Sequence, residues 1–149
     1  MDRIRLDVSV QWRSLKEDDE DLDLTGCLYA LLDRDTREIC YIGKASRASV
    51  AERLQCRSKD AVWERLAKVG NEGCYVLLGE LTLHTYWRLT DALLSDVESL
   101  LIMAEQPTGN KQSKLSRIDR QGLSVECSGR WPGRATHYID GEARKRRVA

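Results

Sequence analysis

From Gly26 to Arg53 the chain reads GCLYALLDRDTREICYIGKASRASVAER. Two short apolar runs, Cys27 to Leu32 and Ile39 to Ile42, flank a polar segment whose Asp and Thr residues favour turns. This arrangement predicts a β-hairpin, because each run has the length and composition of a strand. We expect the rest of the domain to be built around this hairpin.

The hairpin contains a pair of tyrosines. A three-residue loop from Arg34 to Thr36 would pair Asp33 with Arg37 and place Tyr29 directly opposite Tyr41. Because alternate residues of a strand share a face, both phenols would then project from the same side of the sheet. An aromatic pair that only stabilises the sheet is the simplest interpretation of these residues, and catalysis is the alternative.

A glycine and a lysine follow the second run. Gly43 has no side chain, so a ligand or another backbone segment can approach it closely, and Lys44 is next to it. Ser49 and Glu52 have the spacing of a capping box, in which both side chains satisfy free amides at the start of a helix. Arg53 is therefore expected in the second turn of a helix, close behind the hairpin.

Three short motifs occur in order along the chain: Cys27-Leu28-Tyr29, Tyr41-Ile42-Gly43 and Arg53. Together they resemble the signature of the GIY-YIG nuclease superfamily. Cys27 stands where the family has its first glycine, and Leu28 replaces an isoleucine. The loop that leads to Arg53 is slightly longer than is usual in the family, so Arg47 and Arg57 are alternatives for the family's arginine.

A glutamate on a later helix extends the resemblance. Apolar residues at helical spacing predict a helix from about Thr90 to Glu105. Glu98 falls on its apolar stripe, where a lone ionised carboxylate costs on the order of several kcal/mol. It should therefore be paired, protonated or bound to a cation, unless it reaches solvent at the edge of the stripe. Pro107-Thr108-Gly109-Asn110 completes the resemblance, which covers roughly residues 26–110.

The resemblance implies a metal-dependent DNA endonuclease, whose catalytic residues would be Tyr29, Tyr41, Lys44, Arg53 and Glu98. It implies Tyr29 as the general base, with Tyr41 and Lys44 nearby to orient the attacking water. Arg53 offers a planar fork suited to phosphate. Because Mg²⁺ is often held by one or two carboxylates plus phosphate and water, Glu98 suffices as the protein ligand of one Mg²⁺ or Mn²⁺ per active site. A phenol is protonated at neutral pH, so the role of Tyr29 requires adjacent positive charge.

Other residues are expected to support the site or to contact DNA. Gly43 and Asn110 are expected to support the active site, and the side chain of Asn110 should anchor the segment after the helix. The expected DNA contacts are Arg47, Arg57, Lys111 and Lys114. The net charge is zero, yet residues 41–70 carry 7 Lys and Arg against 3 Asp and Glu, and residues 111–149 carry 10 against 4. These basic blocks favour a polyanionic partner, although a charge run alone is usually a solvated surface.

The chain has the length of one domain, residues 1–149. We divide it into an N-terminal strand and acidic linker at 1–23, a nuclease-like core at 24–111 and a basic C-terminal extension at 112–149. The predicted class is α+β, with a small, mainly antiparallel central sheet flanked by helices and extended by N- and C-terminal strands. The predicted elements outside the hairpin are an edge strand at about Ile4 to Gln11, a helix from Ser58 or Asp60 to Gly70, a central strand from Cys74 to Leu81, and strands at Leu123 to Cys127 and Thr136 to Ile139.

Two aromatic residues of the extension, Trp131 and Tyr138, have two interpretations. They would suit stacking on bases or sugars, and packing beside a turn is the more common alternative. The five cysteines are odd in number and contain no Cys-x-x-Cys pair, which predicts reduced thiols and no disulfide framework or zinc site. No signal peptide or membrane-spanning run is present in the sequence, so a cytoplasmic protein is expected.

The partners follow from the implied activity. A restriction-type enzyme would cut both strands of DNA as a homodimer, whereas a DNA-repair or mobile-element nuclease would read structure, or a targeting protein would supply DNA recognition. A GIY-YIG-like module that binds nucleic acid without turnover is the main alternative function. A protein-interaction adaptor is the third.

Overall fold

The computed structural model describes residues 6–15, 20–33, 36–54, 75–83, 89–107, 110, 123–133 and 135–139. Several predicted features lie outside these residues. They are the helix ending at Gly70, the side chains of Arg57, Lys111 and Lys114, and the basic C-terminal tail.

Six strands of the described residues form one mixed sheet in the order β3-β2-β4-β1-β5-β6. Their bounds are β1 Leu6–Leu15, β2 Cys27–Leu32, β3 Ile39–Ala45, β4 Tyr75–Leu83, β5 Leu123–Gly129 and β6 His137–Ile139. β1 and β5 are parallel, and the other neighbouring pairs are antiparallel. The predicted α+β class is confirmed, and so is the central position of the strand predicted from Cys74, which lies between β1 and β2 as β4.

Among the described residues, three helical segments accompany the sheet: a 3-10 helix at Glu20–Asp23, α1 at Val50–Leu54 and α2 at Asp91–Glu105. α2 begins where its sequence predicts, because the Thr90 side chain accepts a hydrogen bond from the Leu93 amide. It ends at Gln106, whose left-handed backbone turns the chain out of the helix. Within the part of the chain described, no helix is long and apolar enough to cross a membrane.

β1 is an interior strand, so the prediction of an edge strand was wrong. It pairs with β4 on one side and with β5 on the other. Alternation of apolar and polar residues reports only that one face of a strand is buried, and this is what Leu6, Val8 and Val10 show. The second neighbour, β5, comes from residues more than a hundred positions later, and the alternation within β1 contains no information about it.

The sheet has two differently covered faces in the hairpin region. α2 packs on the face formed by Leu28, Ala30 and Ile42, which we call the α2 face. α1 packs on the opposite face, formed by Tyr29, Leu31 and Tyr41, through Val50 and Leu54. We call this second side the α1 face.

The described part of the C-terminal extension, residues 123–133 and 135–139, packs into the core. Trp131 stacks on Trp12 with ring centroids 4.7 Å apart, and its indole N–H lies 2.8 Å from the Tyr138 phenol oxygen. The Tyr138 hydroxyl donates a hydrogen bond to Glu105 at the end of α2. Tyr138 is buried, so packing, and not stacking on nucleic acid, accounts for both aromatic residues.

Candidate active site

The register of the hairpin differs from the predicted one. Tyr29 lies opposite Gly43, and Tyr41 lies opposite Leu31, so the predicted direct pairing of the two tyrosines is wrong. The Asp33 carbonyl accepts from the Arg37 amide, as the three-residue loop predicts, but the Asp33 amide donates to the Glu38 carbonyl (2.9 Å each), so Arg37 and Glu38 share one partner and the register shifts by one residue. A bulge after the turn shifts the register by one more residue.

The two register changes act in the same direction. A shift of one residue would have moved Tyr41 to the other side of the sheet, but two shifts restore the alternation. The tyrosines consequently share the α1 face, as predicted, and lie diagonal to each other with ring centroids 6.0 Å apart. The turn closes through Arg37, whose φ of 63° is left-handed, and the Asp33 carboxylate accepts a hydrogen bond from the Thr36 amide at 3.2 Å.

The ring of Tyr29 lies across Gly43. A Cβ atom at Gly43 would be 2.5 Å from both Cζ and Oη of Tyr29, which no real packing permits. The close approach that the sequence predicts at this glycine is therefore made by a side chain of the same hairpin. Tyr29 is 0% exposed and Tyr41 is 8% exposed, so solvent reaches this pair only at Tyr41.

α1 places Arg53 on the same side of the sheet as the tyrosines. The capping box forms as its sequence predicts: the Ser49 hydroxyl accepts from the Glu52 amide at 3.2 Å, and the Glu52 carboxylate accepts from the Ser49 amide at 3.4 Å. The Nε atom of Arg53 is buried and has no hydrogen-bond partner among the described residues. A buried guanidinium N–H without an acceptor is unfavourable, so this arginine is a candidate for binding an anion.

Lys44 lies on the other face. It pairs across the hairpin with Leu28, and its ammonium donates a hydrogen bond to the Ser95 hydroxyl of α2. The structure therefore does not bring Lys44 together with the tyrosine pair. The strict alternation of residues 41–44 was the sequence signal for this separation, because it puts Lys44 on the face of Ile42 and not on that of Tyr41.

A polar stripe on α2 includes two residues that the sequence analysis missed, Asp91 and Ser95. The Asp91 carboxylate accepts a hydrogen bond from the Ser46 hydroxyl and lies 3.7 Å from Nε of the exposed Arg47. Glu98, which is half-buried, follows Ser95 by three positions and so lies on the same side of the helix. Asp91, Ser95 and Glu98 are separated by four and then three residues, and this spacing was the sequence signal that they share one side of the helix.

The described carboxylates near the hairpin do not form a cluster of metal ligands. Within the described ranges, no three His, Cys, Asp or Glu side chains gather into a group that could hold an ion. A magnesium ion bound through one carboxylate takes its other ligands from substrate phosphate and water. Glu98, half-buried and acceptor-only when ionised, fits that kind of site as its single protein ligand.

Asn110 connects the segment after α2 to the outer edge of the hairpin. Its side-chain carbonyl accepts from the Ile42 amide at 2.9 Å, and its side-chain NH₂ donates to the Ile42 carbonyl at 2.8 Å. β3 is the edge strand of the sheet formed by the described residues, which provide no partner strand for these two backbone groups. One buried amide thus satisfies both groups and fixes the end of α2 relative to the tyrosine strand.

Comparison of the chain with protein-family models, with characterised proteins and with solved structures finds no match.

Proposed function

We propose that this protein is a metal-dependent DNA endonuclease whose reaction centre lies on the hairpin beside α1. The observation that carries the proposal is the buried, unpartnered Nε of Arg53, on the side of the sheet where the tyrosine pair lies. The anionic oxygens of a phosphodiester accept hydrogen bonds from a guanidinium, whose planar fork matches their geometry. An arginine kept in this state is better explained by a ligand than by packing.

The residues have separable roles in the proposed reaction. Hydrolysis of a phosphodiester requires an activated water and neutralisation of the charge that develops on the phosphoryl oxygens. We assign the contact with water to Tyr41, because Tyr29 is fully buried and packs behind it over Gly43. Arg53 binds the phosphate, and Asn110 holds β3 in place. Glu98 is on α2, which packs on the other face of the sheet from Tyr41 and Arg53; a metal ion held by Glu98 would supply Lewis-acid stabilisation of the phosphoryl charge if the phosphate reaches around the edge of the hairpin.

A second candidate function is a nucleic-acid-binding module of the same kind without turnover. Two observations favour it: the complete burial of Tyr29, and the position of Lys44 on the α2 face, away from the phenols. Neither observation weakens the argument for phosphate binding by Arg53. The two candidates therefore differ in catalysis and agree on the ligand.

Cleavage assays separate the two candidates. Supercoiled plasmid, branched DNA and single strands are incubated with the protein and Mg²⁺, Mn²⁺ or a chelator. The variants are Arg53→Ala, Glu98→Gln and Tyr41→Phe. Matched controls are Arg130→Ala and Glu126→Gln, which remove an exposed arginine and an exposed glutamate on the far side of the sheet. Circular dichroism verifies that every variant is folded.

For an endonuclease we expect metal-dependent cutting that falls by about 100-fold or more in each of the three site variants, because each removes a group that acts on the transition state. The controls should cut like wild type. Binding without cutting under every condition, with Arg53→Ala weakening the affinity, would support the non-catalytic module. Neither binding nor cutting by the wild type would refute both candidates.

A further inference from the structure

Lys44 is a half-buried cation without an acidic partner among the described residues. Its ammonium donates a hydrogen bond to the Ser95 hydroxyl of α2, which is uncharged, and none of the ion pairs between described residues includes it. Ser95 is half-buried as well. Removing a charge from water is unfavourable unless an opposite charge compensates it. An anion bound next to Lys44 would supply that compensation.

The neighbouring cation, Arg47, has an acidic partner. Its Nε atom lies 3.7 Å from the Asp91 carboxylate, which also accepts a hydrogen bond from the Ser46 hydroxyl. Lys44 contacts α2 one turn later, at Ser95. The end of the hairpin is thus attached to α2 at two consecutive turns. Within the part of the chain that the structure describes, the second attachment holds a cation that lacks a counter-ion.

The contact with Ser95 leaves Lys44 able to bind a ligand. An ammonium has three N–H donors, and Ser95 accepts from one of them, so two remain for oxygen atoms of an anion. The contact also orders a side chain that otherwise has about 2 kcal/mol of rotamer entropy to lose on binding. Glu98 follows Ser95 by three positions, about 4.5 Å along the helix axis. Lys44 therefore lies along the same side of α2 as the proposed metal ligand.

We infer that Lys44 binds a phosphate group of the DNA on the α2 face, and that Ser95 is the positioning residue that holds its ammonium there. The inference rests on the proposed function, because it names a further contact of the same substrate. Arg53 contacts the DNA from the α1 face and Lys44 from the α2 face, so the DNA backbone passes around the edge of the hairpin. This role requires no contact between Lys44 and the phenols.

The salt dependence of DNA binding tests the phosphate contact. Affinity for a short duplex is measured in chelator by fluorescence anisotropy at several salt concentrations, because the slope of log K against log salt counts phosphate contacts. Lys44→Gln removes the charge and keeps an N–H donor for Ser95, whereas Lys44→Arg keeps the charge. Arg130→Gln is the control, since it removes an exposed charge next to β5, far from β3 in the sheet. Melting temperatures verify folding, and Lys44→Met replaces Lys44→Gln if that variant is unstable.

We expect Lys44→Gln to weaken binding about fivefold at low salt and to reduce the size of the slope by about 0.9, the contribution of one phosphate contact on duplex DNA. Lys44→Arg and Arg130→Gln should keep the wild-type slope. A purely structural role of Lys44 would leave the slope unchanged, and that result would overturn the inference.

A double-mutant cycle tests the role of Ser95. Ser95→Ala should weaken binding about threefold when Lys44 is present and have almost no effect in the Lys44→Gln background, because Ser95 acts through the ammonium. Ser95→Thr keeps the hydroxyl and should bind like wild type, as should Ser128→Ala, which removes an exposed hydroxyl of β5.

The outcomes separate the inference from the proposed function. An effect of Ser95→Ala that is the same in both backgrounds would overturn the positioning role. The proposed function stands in that case if Arg53→Ala still weakens binding. If the wild type binds no DNA at any salt concentration, the proposed function is refuted and the inference with it.

Discussion

Replacing Gly43 by alanine tests the central contact of the candidate site. The new Cβ atom would lie 2.5 Å from Cζ and Oη of Tyr29 and 2.9 Å from its Cε1. Tyr29 is fully buried, so its ring has no free space into which it can move. Overpacking of a core typically costs about 1–3 kcal/mol. Because the obstacle is a rigid ring, we expect a loss of roughly 2–3 kcal/mol, which is a fall in melting temperature of about 4–12 °C for a protein of this size.

A double-mutant cycle identifies Tyr29 as the source of that loss. Urea unfolding followed by circular dichroism gives the free energy of unfolding for Gly43→Ala in three backgrounds: Tyr29, Tyr29→Phe and Tyr29→Leu. Phenylalanine keeps the Cζ and Cε1 atoms, so the alanine should remain nearly as costly. Leucine removes all three clashing atoms, so the cost should be lower in this background by more than about 0.5 kcal/mol, the limit within which the effects of independent sites add. An equal cost in all three backgrounds would refute the placement of the ring over Gly43, and with it the geometry assigned to the tyrosine pair.

Two further predictions concern the support of the site and its buried thiols. Asn110→Ala removes both hydrogen bonds to Ile42 and leaves two backbone groups without a partner; we expect a loss of about 2–4 kcal/mol in urea unfolding and faster hydrogen exchange at Ile42, and unchanged stability would contradict the tie. Burial raises the pKa of Cys127 from 9.0 to about 12, with Glu105 and Glu126 adding to the rise and Trp12 opposing it. Burial and then Glu80 raise the pKa of Cys27 to about 11. Both thiols therefore stay protonated in the folded state at pH values above about 9, where they lose their protons in the unfolded chain. Their contribution to the free energy of unfolding is fully present below about pH 9 and is lost as pH rises through the folded pKa values. The free energy of unfolding should fall between pH 9 and 12, and Cys127→Ala should make that fall less steep; identical pH profiles for the two proteins would contradict the assignment to this thiol.

The sequence by itself determined the local features of this protein. Ser49 with Glu52 and Thr90 with Leu93 begin their helices as predicted, because a cap forms between residues three positions apart. The hairpin was also predictable, since alternation and turn chemistry act within a few residues. The placement of both tyrosines on one face was predicted with a different register and holds because the two register changes together restore the alternation. The separation of Lys44 from Tyr41 could have been read from the alternation of residues 41–44.

Only the tertiary structure decided the features that depend on distant partners. The interior position of β1 requires β5, and the packing of Trp131 requires Trp12, far away along the chain in each case. The exact hairpin register depended on a left-handed residue and a bulge, which differ from their alternatives by small local energies that the surrounding packing outweighs. The unpartnered Nε atom of Arg53 and the contact between α1 and the 3-10 helix at Glu20–Asp23 also depend on how separate elements pack together. A sequence pattern reports only the periodicity within each element.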